Sequence, residues 1–164
     1  MTLPPPIRTI GIDVGTSLGF AVFDGSTVVE SGEVELKASS WEGIGMRPFR
    51  AAVVVGGLLA RHPGAVVVIE LVRRHLGTQA AQVYGAILGA ITSAVEGSGG
   101  ARYTFVSVGE AKIAATGYGA AKKAGMVDAA RVAFGVEAGE DEADAIWIAV
   151  AGWKRETSAA GLFR

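Results

Sequence analysis

The sequence predicts an α/β fold: a central mixed five-stranded sheet flanked by helices. Three antiparallel strands come first, then strand–helix crossovers. Three observations predict this. The chain opens on short β-branched runs broken by glycine turns, IGIDVGTSLGFAVFDGSTVVESGEVEL over residues 10–36. It continues to AVVVIE at residues 65–70, an unbroken apolar run of the kind found in strands buried on both faces. Segments of helical period then surround one more strand.

Residues 8–13 form the first strand, 18–23 the second, and Asp24-Gly25-Ser26 the hairpin turn. Residues 27–36 form the third strand, with Gly32 expected at a bulge. A polar connector leads to a helix over 47–62 with Phe49, Val53, Leu58 and Leu59 as its apolar residues. His62-Pro63-Gly64 stops it. After the strand at 65–70, the loop 71–77 carries Arg73, Arg74 and His75. Thr78 is expected to cap a helix running to 96. A strand over 102–108, a short helix over 109–116, a glycine hinge at 117–119 and helices over 120–134 and 140–153 complete the pattern. At 164 residues the chain reads as a single domain, 1–164, with 1–6 and 155–164 as loose termini.

Composition excludes several classes. There is no cysteine, which removes disulfides and thiolate metal sites and suits a cytoplasmic protein. Gly, Arg and Glu interrupt every apolar run before it reaches the length of a membrane span, so no membrane association is expected. The net charge of −1 gives no global signature of nucleic-acid binding, so that case rests on local charge.

Four acids stand in apolar surroundings. Asp13 lies between a β-branched strand and a glycine turn, Glu70 ends the run VVVIE, and Asp141 and Asp144 lie three apart in DEADAIWIA, on one face of a helix. An unpaired carboxylate in such a setting is costly. Taken singly, the pair at 141 and 144 is most simply a favourable helix N-terminus, and Glu70 a solvated strand end. Asp13 has no such simple account, and the combination is more specific than any member. Oxygen-only donors suit hard divalent cations, Mg²⁺ or Mn²⁺. Two such ions are the usual means of in-line attack on a phosphodiester. Around the acids, Arg73, Arg74 and His75 are densely basic and read as a phosphate clamp beside Glu70, although such a loop is as often merely solvated. Lys122 and Lys123 come after the glycine hinge at a helix start that suits phosphate. For Lys122 a solvated helix start is the simpler reading.

These motifs resemble the RuvC-like Holliday junction resolvases, especially the bacteriophage-type branch, which have the RNase H-like fold. The carriers are GIDVGTSLGFAV, VVVIE, HLGTQAAQVYGAILG, TGYGAAKKAGMVDAAR and DEADAIWIA, spread over residues 7–153. The resemblance implies that Asp13, Glu70, Asp141 and Asp144 are the catalytic metal ligands, holding two Mg²⁺, with Mn²⁺ as a substitute. It places Lys112 and Lys123 near the scissile phosphate or the DNA backbone, Lys123 as a catalytic residue and Lys112 as a DNA contact. It further implies a homodimer that cuts branched DNA and leaves 5′-phosphates. Bacterial relatives carry an aromatic after the glutamate of the fourth strand that helps open the junction centre; Arg73, Arg74 and His75 stand in that loop here, and arginine can stack on bases.

The helix over 78–96 presents two apolar stripes. One is Ala81, Tyr84, Leu88, Ile91 and Val95; the other is Ala80, Val83, Ile87, Ala90 and Ala94. One stripe is expected on the sheet and the other, centred on Ile87, on a two-fold partner. The main alternative is a nuclease of the same fold acting on flaps or RNA–DNA hybrids. An actin- or sugar-kinase-like nucleotide lobe, suggested by GIDVGTS, would need a second lobe for which this chain has no room. A non-catalytic binder would not need all four acids.

Overall fold

Strand β1 (Thr9–Val14) runs through the middle of a five-stranded sheet. β2 (Ser17–Phe23) pairs with it antiparallel, and β3 (Val28–Glu35) pairs antiparallel with β2. On the other side β4 (Val66–Glu70) lies parallel to β1, and β5 (Arg102–Val106) parallel to β4. The strand order is therefore β3-β2-β1-β4-β5, the mixed sheet that the sequence predicts. The structure is a computed structural model describing residues 7–159 apart from Arg74, and all but the side chain of Ala159. Residues 1–6 and 160–164, expected as loose, lie outside the described residues.

Helices cover both faces. α1 (Met46–Arg61) and α2 (Thr78–Gly97) pack on the face to which Ile10, Ile12, Val67 and Ile69 point. α3 (Val108–Thr116), α4 (Lys123–Phe134) and α5 (Glu140–Ala159) pack on the other, with Val68 and Val106. β1 alternates accordingly: its isoleucines face α1 and α2, while Gly11 faces α5. A Cβ at Gly11 would lie 2.1 Å from the Ala145 carbonyl oxygen. A Cβ at Gly152 would lie 2.3 Å from Val68 Cγ2. Absence of side chains here lets α5 lie directly on the sheet. Buried Thr9 adds a hydrogen bond, its Oγ1 donating to the Ala149 carbonyl at 2.8 Å.

Several expectations are corrected. The irregularity in β3 falls at Val29, because Val22 pairs with Glu30 and Phe23 with Val28. Gly32 pairs regularly with Phe20, whose ring takes the space a side chain would fill. Gly77, at φ 95°, caps α2, and the Thr78 side chain makes no cap bond. β5 ends at Val106 because Ser107 caps α3 through a reciprocal box with Glu110, a Ser-x-x-Glu signal readable in the sequence. α4 begins at Lys123, since Lys122 is still extended.

The C-terminal segment is not loose where it is described. α5 continues to Ala159 and is tied down on three sides. Arg155 bonds the Phe105 carbonyl and Glu110, Glu156 pairs with Arg102 at 2.5 Å, and Thr157 is buried. On α1 the buried residues are Ala51, Val55, Leu58 and Leu59, while Phe49 and Val53 are 60% and 56% exposed. On α2 a single stripe of Ile87, Ile91 and Val95 is fully buried. Ile87, at 1% exposure, belongs to the core and cannot be an intersubunit contact. Among the described residues no helix is long and apolar enough to cross a membrane.

Candidate nuclease site

The four acids reach one cleft because of strand register and one glycine. β1 and β4 are paired up to Ile12 and Ile69, so Asp13 and Glu70 are the next residues of adjacent parallel strands and share the face that α5 covers. Asp13 is paired across β2 with Gly19. A Cβ at Gly19 would lie 2.0 Å from the Asp141 carbonyl oxygen. That close approach seats the first turn of α5, and with it Asp141 and Asp144, above the end of β1. The cleft is about 390 Å³ and is lined by Asp13, Glu70, Asp141 and Asp144 with Lys112 and Lys123. Three acids, Glu140, Asp141 and Glu142, occupy the first turn of α5, where the helix dipole favours them.

The electrostatics are those of unneutralised negative charge. Burial, then Glu70, Asp144 and Asp141, push Asp13 up to about 8, with Lys123 opposing. Burial also raises Glu70, and Asp144 adds to it against Lys112 and Lys123. Asp144 is raised by burial and by Asp141, against Lys123. The cation nearest the α5 acids is Lys123. Its Nζ is 3.4 Å from Glu140 Oε2, 3.4 Å from Asp141 Oδ1 and 3.9 Å from Asp144 Oδ2. Burial works against the ammonium, but Asp141, Asp144 and the bond to Asp141 outweigh it and its pKa rises.

The donor set fits a hard divalent ion in its chemistry, being carboxylate oxygen throughout. No three or more His, Asp or Glu side chains among the described residues converge closely enough to hold a metal without rearrangement. The acids share a cleft without forming a closed cage, and the positive charges in it are those of Lys112 and Lys123.

The raised acids make stability depend on pH. A carboxyl with a folded-state pKa above its unfolded value retains in the folded state a proton that the unfolded chain releases. Asp13 therefore destabilises the metal-free protein increasingly as pH rises from about 4 to about 8, and not further above that. In chelator-treated protein the thermal midpoint should fall from pH 5 to pH 8, less so in Asp13→Asn, and divalent ion should restore it. Parallel profiles for the two proteins would refute the placement of Asp13's charge.

The basic residues divide. Lys112 and Lys123 line the cleft. Lys122 is exposed at the N-cap of α4, as its simpler reading has it. Arg73 is exposed on the loop after β4, and Arg74 lies outside the described residues. His75 is half-buried, its ring 4.7 Å from that of Tyr84 and tilted 42°. In the sequence Tyr84 stands only as part of an apolar stripe. Its hydroxyl in fact donates to the Glu70 carbonyl at 2.8 Å and accepts from the Val72 amide at 3.3 Å. No sequence signal points to that role.

Sheet order, helix placement and an acidic cleft at the end of β1 and β4 define the RNase H-like class. Within that class the chain is RuvC-like. It is similar to the solved Thermus thermophilus RuvC structure, with 25% identity, 93% of this chain and 97% of that one covered, and a TM-score of 0.74. T. thermophilus RuvC in complex with Holliday junction substrate matches at 24% identity, 93% and 96% coverage, and a TM-score of 0.79. The yeast mitochondrial Holliday junction resolvase Ydc2 matches at 15% identity, 99% and 84% coverage, and a TM-score of 0.65. The latter two likenesses are of fold. The sequence matches no family model and no curated protein. The bacteriophage-type placement rests on the sequence motifs alone.

Proposed function

We propose that this chain is a Holliday junction resolvase, an endodeoxyribonuclease that hydrolyses phosphodiesters at four-way DNA junctions. The observation that carries the reading is the single cleft into which Asp13, Glu70, Asp141, Asp144, Lys112 and Lys123 all face, on a RuvC-like frame. Asp13, Glu70, Asp141 and Asp144 would hold the divalent ions, two Mg²⁺ or Mn²⁺ per site. The chemistry such ions supply is acidification of a water and neutralisation of charge around the attacked phosphodiester, leaving a 5′-phosphate.

The chain's own residues do the rest. Burial and neighbouring acids disfavour the charged forms of Asp13, Glu70 and Asp144, so a bound cation would stabilise them as carboxylates. Lys112 and Lys123 offer ammonium groups to the phosphate at the wall of the cleft, and Arg73 extends the basic surface beyond β4. Cleaving a four-way junction, a flap, a linear duplex and an RNA–DNA hybrid side by side tests the reading. Preference for the junction is expected. Preference for the flap or hybrid would make the protein a broader nuclease of the same fold.

The working unit in this reading is a homodimer. Resolution needs two opposed incisions, and one cleft serves one phosphodiester at a time. The face for the partner is α1 rather than Ile87. Phe49, Val53, Gly56 and Ala60, at spacings of four, three and four, make an apolar exposed stripe, and exposed Trp41 and Ile44 precede it. Phe49→Asp should keep the wild-type secondary structure by circular dichroism yet run as a monomer in light scattering. A Phe49→Asp dimer would move the interface elsewhere.

A further inference from the structure

We infer that Tyr84 is a positioning residue for the catalytic carboxylate Glu70, acting from α2 through the backbone at the end of β4; this rests on the nuclease reading. The Leu71 amide donates to the Val106 carbonyl at 2.9 Å, toward β5. Because backbone groups alternate along an extended strand, the Glu70 carbonyl and Val72 amide point the opposite way, toward β1. The β1–β4 ladder has already ended at Ile12 and Ile69, so no strand partner meets them. The Tyr84 hydroxyl takes that place, donating to Glu70 O at 2.8 Å and accepting from Val72 N–H at 3.3 Å.

The same side chain braces the loop beyond β4. Its ring packs on His75 at 4.7 Å, so one tyrosine fixes both the strand end bearing Glu70 and the loop bearing Arg73 and His75. Tyr84 and His75 also line a groove of about 450 Å³ that shares Gly15 and Thr16 with the carboxylate cleft. The tyrosine thus stands beside the site without lining its cleft. An unmade pair of backbone bonds at this place would let the strand end and its carboxylate drift.

Tyr84→Phe removes the hydroxyl and keeps the ring. Expected are a kcat for junction cleavage lower by roughly ten- to a hundredfold, a higher Mg²⁺ concentration for half-maximal rate, and unchanged junction affinity in metal-free buffer. Amide hydrogen exchange at Val72 should accelerate while that of β1 and β4 residues 66–69 does not. Leu88→Ala, on the same helix and half-buried, is the packing control and should keep kcat. Wild-type kcat and unaltered Val72 exchange in Tyr84→Phe would overturn the assignment. So would a Leu88→Ala enzyme as slow as Tyr84→Phe, since the effect would then be general loosening. If the wild-type protein cuts no branched DNA, the nuclease reading falls by itself, and Val72 exchange alone decides whether Tyr84 holds the strand end.

Discussion

Asp13→Asn is expected to fold, bind four-way junctions and lose cleavage by about a thousandfold or more, the scale on which a group placed for transition-state charge acts. The substitution is nearly isosteric and removes an ionisable group whose charged form its surroundings disfavour, since burial and three neighbouring acids hold Asp13 up to about 8. Stability should therefore be kept or raised near neutral pH. Activity should vanish because the carboxylate joining β1 to the cleft is gone. Gel-shift affinity in metal-free buffer, the thermal midpoint and single-turnover rate separate these effects. A rate near that of the wild type in Mg²⁺ would remove Asp13 from the site.

The second large effect is expected at a residue without a side chain. A Cβ on Gly19 would stand 2.0 Å from the Asp141 carbonyl oxygen and 2.5 Å from its carbonyl carbon. Both are helix backbone, so no rotamer change relieves the clash. Gly19→Ala should cost about 1–3 kcal/mol or more of stability, as overpacking does. It should also push the first turn of α5 from β2, and Asp141 with it. Gly19 is the cross-strand partner of Asp13, so the displacement opens the cleft between the acids. A misplacement of about 1 Å costs cleavage roughly a hundredfold. Melting and cleavage both at wild-type values would contradict the close approach of α5 to the sheet.

Those two residues show why the site was legible. Asp13 was conspicuous as an acid among β-branched residues before a glycine turn. Gly11 and Gly19 are where α5 closes on the sheet. The three antiparallel strands and the later strand–helix crossovers came from short turns and helical spacing. Less legible was the phase of helices with apolar residues on several sides. α2 carries almost no charge, so its sequence could not say which stripe meets the sheet, and Ile87 proved to be core. On α1 the reverse held: Phe49 and Val53 look like core residues, yet Ala51 and Val55 are buried and that pair faces outward. Helix phase is set by what the neighbouring layer offers, which no local window contains. The length of α5 was missed because its anchors, Phe105, Glu110 and Arg102, are distant in sequence. Tyr84 illustrates the same limit for the site, since its partners are backbone atoms that no residue type announces.

The dimeric resolvase reading and a simpler branch nuclease share the same cleft and differ in how cuts are coupled. The most direct measurement is cleavage of a supercoiled plasmid that extrudes a cruciform, monitored over time in Mg²⁺. Two clefts acting within one bound lifetime convert it straight to linear DNA, and that product is expected from the first time points. A first nick made alone relaxes the supercoiling and reabsorbs the cruciform, so accumulation of nicked circles, or no cleavage at all, would contradict paired resolution by this protein.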